Sequence, residues 1–168
     1  MPPLKGDPGM SSRSCASCTL CCKLMGVPEL KKPAARWCSD CDQAQGCTVY
    51  ERRPPSCRNF ACFWLMDDQF PDEMRPDRIH ALLAFNDTPD SVVLHVDPAH
   101  PAAVRSAEVS ALIDALLKNY QKLFVLMGRH SAMLTPSRWQ QSQETIWGMD
   151  QPAAPSPPQR PVHQQKRG

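Results

Sequence analysis

The chemistry of this chain is written in its cysteines. Residues 15–22 read CASCTLCC and carry Cys15, Cys18, Cys21 and Cys22; Cys38, Cys41, Cys47, Cys57 and Cys62 follow, and no cysteine occurs after them. Nine thiols concentrated in the first part of a 168-residue chain suit one kind of work above others. Thiolates are soft ligands for zinc and for iron–sulfur clusters, and C-x2-C spacings recur at such sites.

Spacing constrains how the thiols can be used. On one regular helix the four cysteines of CASCTLCC would fall within an arc of about 120°, yet Cys15 and Cys22 would stand about 10.5 Å apart along its axis. Sulfurs around one zinc ion lie under ~4 Å apart, given a Zn–S bond of ~2.3 Å. One straight helix therefore cannot supply all four to one ion. The segment is either a loop around a centre or is shared between centres, and the adjacent pair Cys21 and Cys22 favours sharing. Cys15, Cys18 and Cys21 also match the first three ligands of the bacterial cluster run C-x2-C-x2-C-x3-C-P, but Met25 holds its fourth position. Cys38 and Cys41 form a C-x2-C turn, and Cys47 follows in QGC. If the stretch after Pro55 is one helix, Cys57 and Cys62 stand about one turn apart, with Phe60, Phe63, Trp64 and Leu65 as an apolar wall limiting water. Arg53 and Arg58 are placed to offset thiolate charge, with Tyr50 and Glu51 beside them.

Other uses of the thiols fit less well. Buried cysteines serving only as small hydrophobes would not repeat C-x2-C. A disulfide scaffold leaves one of nine unpaired. A thioredoxin-type pair at Cys38 and Cys41 lacks the βαβ surroundings. His80 and His95 are expected on strands as structural residues, and His163 as solvated. Met25, Met66 and Met127 read as core fillers. No pair of residues forms an evident acid–base or nucleophile–base couple, so the sequence leaves open whether the chain is an enzyme.

The elements that must hold these residues come next. Residues 1–13 are polar, without periodicity, and are expected to be disordered. Residues 14–70 form the cysteine-rich region. Residues 71–130 read as a ββαβ module of the same domain. RIHALLAF (78–85) and SVVLHVD (91–97) make a hairpin, and Pro101 suits the first turn of a helix. Val109, Leu112, Ile113, Leu116 and Leu117 mark a buried helical face, and LFVLM (123–127) a third strand ending at Gly128. The acidic stretch with Asp67, Asp68, Asp72, Glu73 and Asp77 reads as a solvated linker. Residues 131–168, rich in Pro and Gln, read as a largely disordered tail in which Trp139, Ile146 and Trp147 are the candidates for docking.

A net charge of +2 gives no bulk attraction to nucleic acid or anionic lipid, and no apolar run approaches the ~20 residues of a membrane span. The expected partner is a metal ion or cluster, with no nucleic acid and no membrane. The first residues lack the apolar core of a secretory signal, so a cytoplasmic location, where thiols stay reduced, is expected.

Taken together, Cys15-Cys18-Cys21-Cys22, Cys38-Cys41, Gly46-Cys47, Tyr50-Glu51, Arg53-Pro54, Cys57-Arg58, Phe60, Cys62 and Trp64 resemble the CxxCxxCC (YkgJ-type) family of zinc- or iron-chelating cysteine-cluster proteins. The resemblance implies that the nine cysteines chelate metal, and leaves Zn2+ or iron, including an Fe–S cluster, open. The expected fold is α+β: a small metal-stabilised cysteine-rich region with short helices packed on the ββαβ module. An iron–sulfur centre would give the chain a redox role; the alternative is a zinc-stabilised interaction or metal-handling module without catalysis.

Overall fold

The computed structural model describes residues 13–141, apart from 16, 87 and 89. It is a mixed α+β structure of short helices and a four-stranded sheet. In the cysteine-rich region come α1 (Leu20–Leu24), the strand pair β1 (Cys41–Asp42) and β2 (Gly46–Cys47), α2 (Pro55–Arg58) and α3 (Phe63–Met66). Then follow α4 (Pro76–Ile79), β3 (Ala81–Phe85), β4 (Ser91–Val96), α5 (Ala107–Asn119), β5 (Lys122–Met127), β6 (His130–Leu134) and α6 (Pro136–Gln141). No described helix is long and apolar enough to cross a membrane.

The sheet has the order β3-β4-β5-β6. β3 pairs antiparallel with β4, β4 parallel with β5 through the α5 crossover, and β5 antiparallel with β6. The ββαβ order expected from the periodicity is present. On α5 the five apolar positions named from the sequence are all buried. They pack with Leu83, Val92, Leu94, Leu123 and Val125 in one core.

β3 explains how the cysteine-rich region is held. Successive strand residues face opposite sides. Ala81 and Leu83 belong to the core beneath α5, whereas Leu82 and Ala84 pack against Leu20 and Leu24 of α1. The run ALLA is thus buried on both faces. It forms a wall between the main core and the segment that carries Cys21 and Cys22.

Several boundaries differ from the sequence reading. The first strand starts at Ala81, not Arg78, because α4 ends with His80 in the left-handed backbone region (φ 51°). His80 is therefore a helix-terminal residue and not a strand residue, while His95 does lie on β4. Pro101 opens a separate 3-10 turn, Pro101–Arg105. α5 starts after Ser106, whose side chain accepts a hydrogen bond from the Val109 N–H at 3.2 Å, a local cap that restarts the helix. Ordered structure also continues past residue 130. β6 closes the sheet with Leu134 fully buried, and Trp139 on α6 is 4% exposed with its indole N–H donated to Asp114. The tail expected to begin at 131 thus carries a strand and a helix up to 141. Ile146, Trp147 and His163 lie outside the described residues.

The expected disordered start also needs correction at Arg13. Its guanidinium donates to the carbonyls of Trp64 and Asp67 at 2.9 Å each, of Asp68 at 3.2 Å and of Phe70 at 2.6 Å. The acidic stretch is likewise no plain linker: Arg75 pairs with Asp77, and Arg78 with Asp72.

Candidate metal centre

The cysteines reach one place from four directions, each fixed locally. Cys15 and Cys18 sit in a tight turn, with Cys18 N–H donated to Cys15 O at 2.7 Å, and Cys21 and Cys22 follow on α1. A loop then wraps the C-terminal end of α1. Ala35 N–H reaches Leu24 O, Cys38 N–H reaches Cys22 O at 3.1 Å, and the Lys32 ammonium donates to Met25 O. A cation at that end suits the partial negative charge of the last helical carbonyls. The C-x2-C turn closes with Cys41 N–H to Cys38 O at 3.3 Å. β1 and β2 then pair Cys41 with Cys47 directly across the ladder. Asp42 makes that hairpin by accepting from Ala44 and Gln45 N–H, and Gly46 supplies a φ of 109°.

Cys57 and Cys62 do not share a helix. α2 ends at Arg58, and Cys62 has an extended backbone as it opens α3. Glu29 fixes the start of α2 by accepting from Ser56 N–H at 2.9 Å and from its hydroxyl at 2.6 Å. The break leaves Cys57 on one short helix and Cys62 at the mouth of the next, and both line the same cavity.

The result is a cavity of about 280 Å³ lined by eight of the nine cysteines, Cys15, Cys18, Cys21, Cys22, Cys38, Cys47, Cys57 and Cys62. Met25, Leu30, Tyr50, Arg53, Phe60, Trp64, Leu65 and Leu82 complete much of the wall. Phe63 does not: it is buried in the main core. Arg58 and Glu51 are exposed at the surface. Cys41 lies just behind the lining, within hydrogen-bond reach of Cys22. None of the nine is in a disulfide.

Electrostatics divide the thiols into two neighbourhoods. Burial pushes Cys18 up to about 11, with further repulsion from Asp77 and Cys62. Burial also raises Cys62, and Cys15 adds to it. Cys41 and Cys57 are raised first by burial and then by the charge of Cys22, with Cys38 and Cys47 contributing to both. Cys21 bridges the neighbourhoods. Its thiol is hydrogen-bonded to Cys22, which raises Cys21 and lowers Cys22, and Lys32 and Arg53 favour the Cys22 thiolate further. The adjacent pair thus faces both ways, although its two sulfurs still meet.

The donor set fits a thiophilic metal or cluster on a second ground. Among the described residues, the buried side-chain nitrogens or oxygens lacking a hydrogen-bond partner are Arg53 Nε and Trp64 Nε1. Both residues line this cavity. Clustered thiols, five of which are held back from ionising by burial and by one another, beside donors without acceptors, are what a cation bound through thiolates would satisfy.

Sequence reasoning missed a polar cluster behind α1. Asp97, 2% exposed, accepts from Lys23 Nζ at 2.7 Å, from Ala99 N–H at 3.0 Å and pairs with His100 Nδ1 at 3.1 Å. The His80 and His100 rings stack at 3.7 Å. Among the described residues, His80, Asp97 and His100 form the group whose ligand atoms all fall within 4.8 Å of one another, and no three cysteine sulfurs gather that closely. The Lys23 ammonium already lies against both oxygens of Asp97. Parallel stacked rings also aim their lone pairs side by side rather than at one point. The cluster accordingly acts as an ion pair tying α1 to the end of β4. Its one sequence signal was an aspartate directly ending the apolar run SVVLHV.

Compared with family models, curated proteins and solved structures, the chain matches none.

Proposed function

We propose that this chain is a cysteine-cluster metal protein of the CxxCxxCC type, holding iron as an iron–sulfur cluster, or zinc, through cysteine thiolates. The observation that carries the proposal is the convergence of eight cysteines, from segments far apart in sequence, on one cavity of about 280 Å³. Cys15, Cys18, Cys21 and Cys62 would serve one neighbourhood; Cys22, Cys38, Cys41, Cys47 and Cys57 the other. Iron–sulfur ligation is the better supported form. Thiolates of a polynuclear cluster each hold a separate iron and stand farther apart than the sulfurs of one tetrahedral zinc, and among the described residues no three cysteine sulfurs gather within 4.8 Å of one another. A bound cluster would supply one-electron chemistry; the chain's own part is to hold it, shield it with Phe60, Trp64 and Leu65, and balance its charge with Arg53 and Lys32. Zinc is favoured by one feature, the Cys38–Cys41 turn joined to the facing pair Cys41 and Cys47, a compact chelating hairpin. The reducing cytoplasm is the compartment that suits nine unbridged thiols.

Shared ligation is tested by Cys18→Ser in the full chain. Cys62 should become reactive to alkylation, although 44 positions separate it from Cys18, because both face one neighbourhood. Mass-spectrometric mapping that finds new reactivity confined to residues 15–22 would show that the two groups bind independently.

A further inference from the structure

The two orphaned donors carry an inference that rests on the metal-centre reading and extends it. Arg53 Nε and Trp64 Nε1 are each buried and without an acceptor. Both groups can only donate, so whatever satisfies them must accept. Their surroundings supply no competing role. The Arg53 guanidinium lies over the Tyr50 ring at 3.6 Å, which fixes its plane but leaves Nε unbonded. The Trp64 indole is packed in the main core at 7% exposure, with Arg13 over its ring at 4.7 Å, so it too is held in place. Each belongs to a different thiol neighbourhood. Arg53 acts on Cys22, and Trp64 follows Cys62 by two residues at the start of α3.

We infer that Arg53 and Trp64 are positioning residues whose N–H groups donate to the sulfur of the bound centre, thiolate or bridging sulfide, one in each neighbourhood. An N–H aimed at a metal-bound sulfur withdraws charge from it. This stabilises the electron-rich, reduced form of a cluster and slows loss of the metal. Both residues line the cavity that eight cysteines share, and two such donors serve two sulfur sets better than a single small ion.

The test uses the full chain, loaded anaerobically with iron and sulfide or with zinc. Trp64→Phe removes the indole donor and keeps an aromatic ring. Arg53→Lys keeps the charge and removes Nε–H. Phe63→Leu, in the neighbouring core but outside the cavity, is the packing control. Both donor variants should retain the wild-type metal ratio yet release metal to a competing chelator roughly tenfold faster. With a cluster bound, both should show a lower midpoint potential. Phe63→Leu should lower thermal stability without changing either quantity. If Trp64→Phe does not fold, Arg53→Lys carries the test alone. Unchanged release in the folded donor variants, or equal acceleration by Phe63→Leu, overturns the inference while leaving the metal-centre reading intact. A wild-type chain that takes up no metal overturns both.

Discussion

Removing metal from the proposed centre is expected to strip protection from residues 15–62 while the sheet, α3 and α5 stay folded. The two parts draw on different sources of stability. Around α5 the core joins Leu94, Val96, Ile113, Leu116, Leu123 and Leu134, each at most 1% exposed. Ahead of α3, whose Phe63 and Trp64 belong to the main core, the cysteine-rich region has little of its own: chiefly Leu20 and Leu24 packed on the Leu82–Ala84 side of β3. Its helices α1, α2 and α3 have five, four and four residues, far below the ~12–15 at which an isolated helix becomes even marginal. Its strands have two residues each. Metal ligation supplies on the order of 10–16 kcal/mol of apparent folding energy in small thiolate sites, and in the proposed centre it would outweigh this local packing. Hydrogen exchange before and after chelation should show amides of 15–62 exchanging quickly in the stripped chain, with β4, β5 and α5 unaltered. Equal protection in both states would mean that packing alone folds the region.

Asp97→Asn is the substitution expected to cost most outside the cysteines. Lys23 and Asp97 have side chains 13% and 3% exposed, and the variant would leave a part-buried ammonium without its carboxylate. Breaking one partner of a buried pair costs about 3–5 kcal/mol. The effect should reach the thiols, because Lys23 directly follows Cys22 and its side chain anchors α1 to the sheet. Burial works against the charged form of Asp97, but Lys23, the Ala99 N–H and His100 outweigh it and hold this carboxyl below the usual range. A depressed carboxylate adds stability above its unfolded pKa, about 3.9, and that part is lost as pH falls through the folded value. Urea denaturation should therefore show a large gap between wild type and Asp97→Asn at pH 7 that narrows below about pH 4. A gap independent of pH would assign the loss to packing rather than charge.

What the sequence made legible follows from which signals are local. β4 and β5 were readable as short unbroken apolar runs, and α5 by its apolar period of 3.6, because each signal lies within one element. β6 was not: of HSAML only Leu134 is buried, and an edge strand with one inward residue has no period to detect. Trp139 was hidden in the same way, inside a stretch whose composition resembled a tail. The cysteine spacings announced thiolate chemistry, and the break between Cys57 and Cys62 could not be seen in them. Which sulfur faces which depends on the path of the 25–38 loop and on the two-faced burial of β3, both set by tertiary contacts. The same holds for Lys23 and Asp97, 74 residues apart, and for the orphaned donors of Arg53 and Trp64, defined by the absence of a nearby acceptor rather than by any motif.

The central claim is that the cysteines hold metal. The most direct measurement isolates the full chain without oxygen, determines iron, zinc and acid-labile sulfide per chain, and counts maleimide-reactive thiols before and after chelation. Tightly bound metal at a fixed ratio is expected, with sulfide matching iron if the centre is a cluster, and most of the nine cysteines unreactive until the metal is removed. A folded, metal-free chain whose thiols react freely from the outset would contradict it.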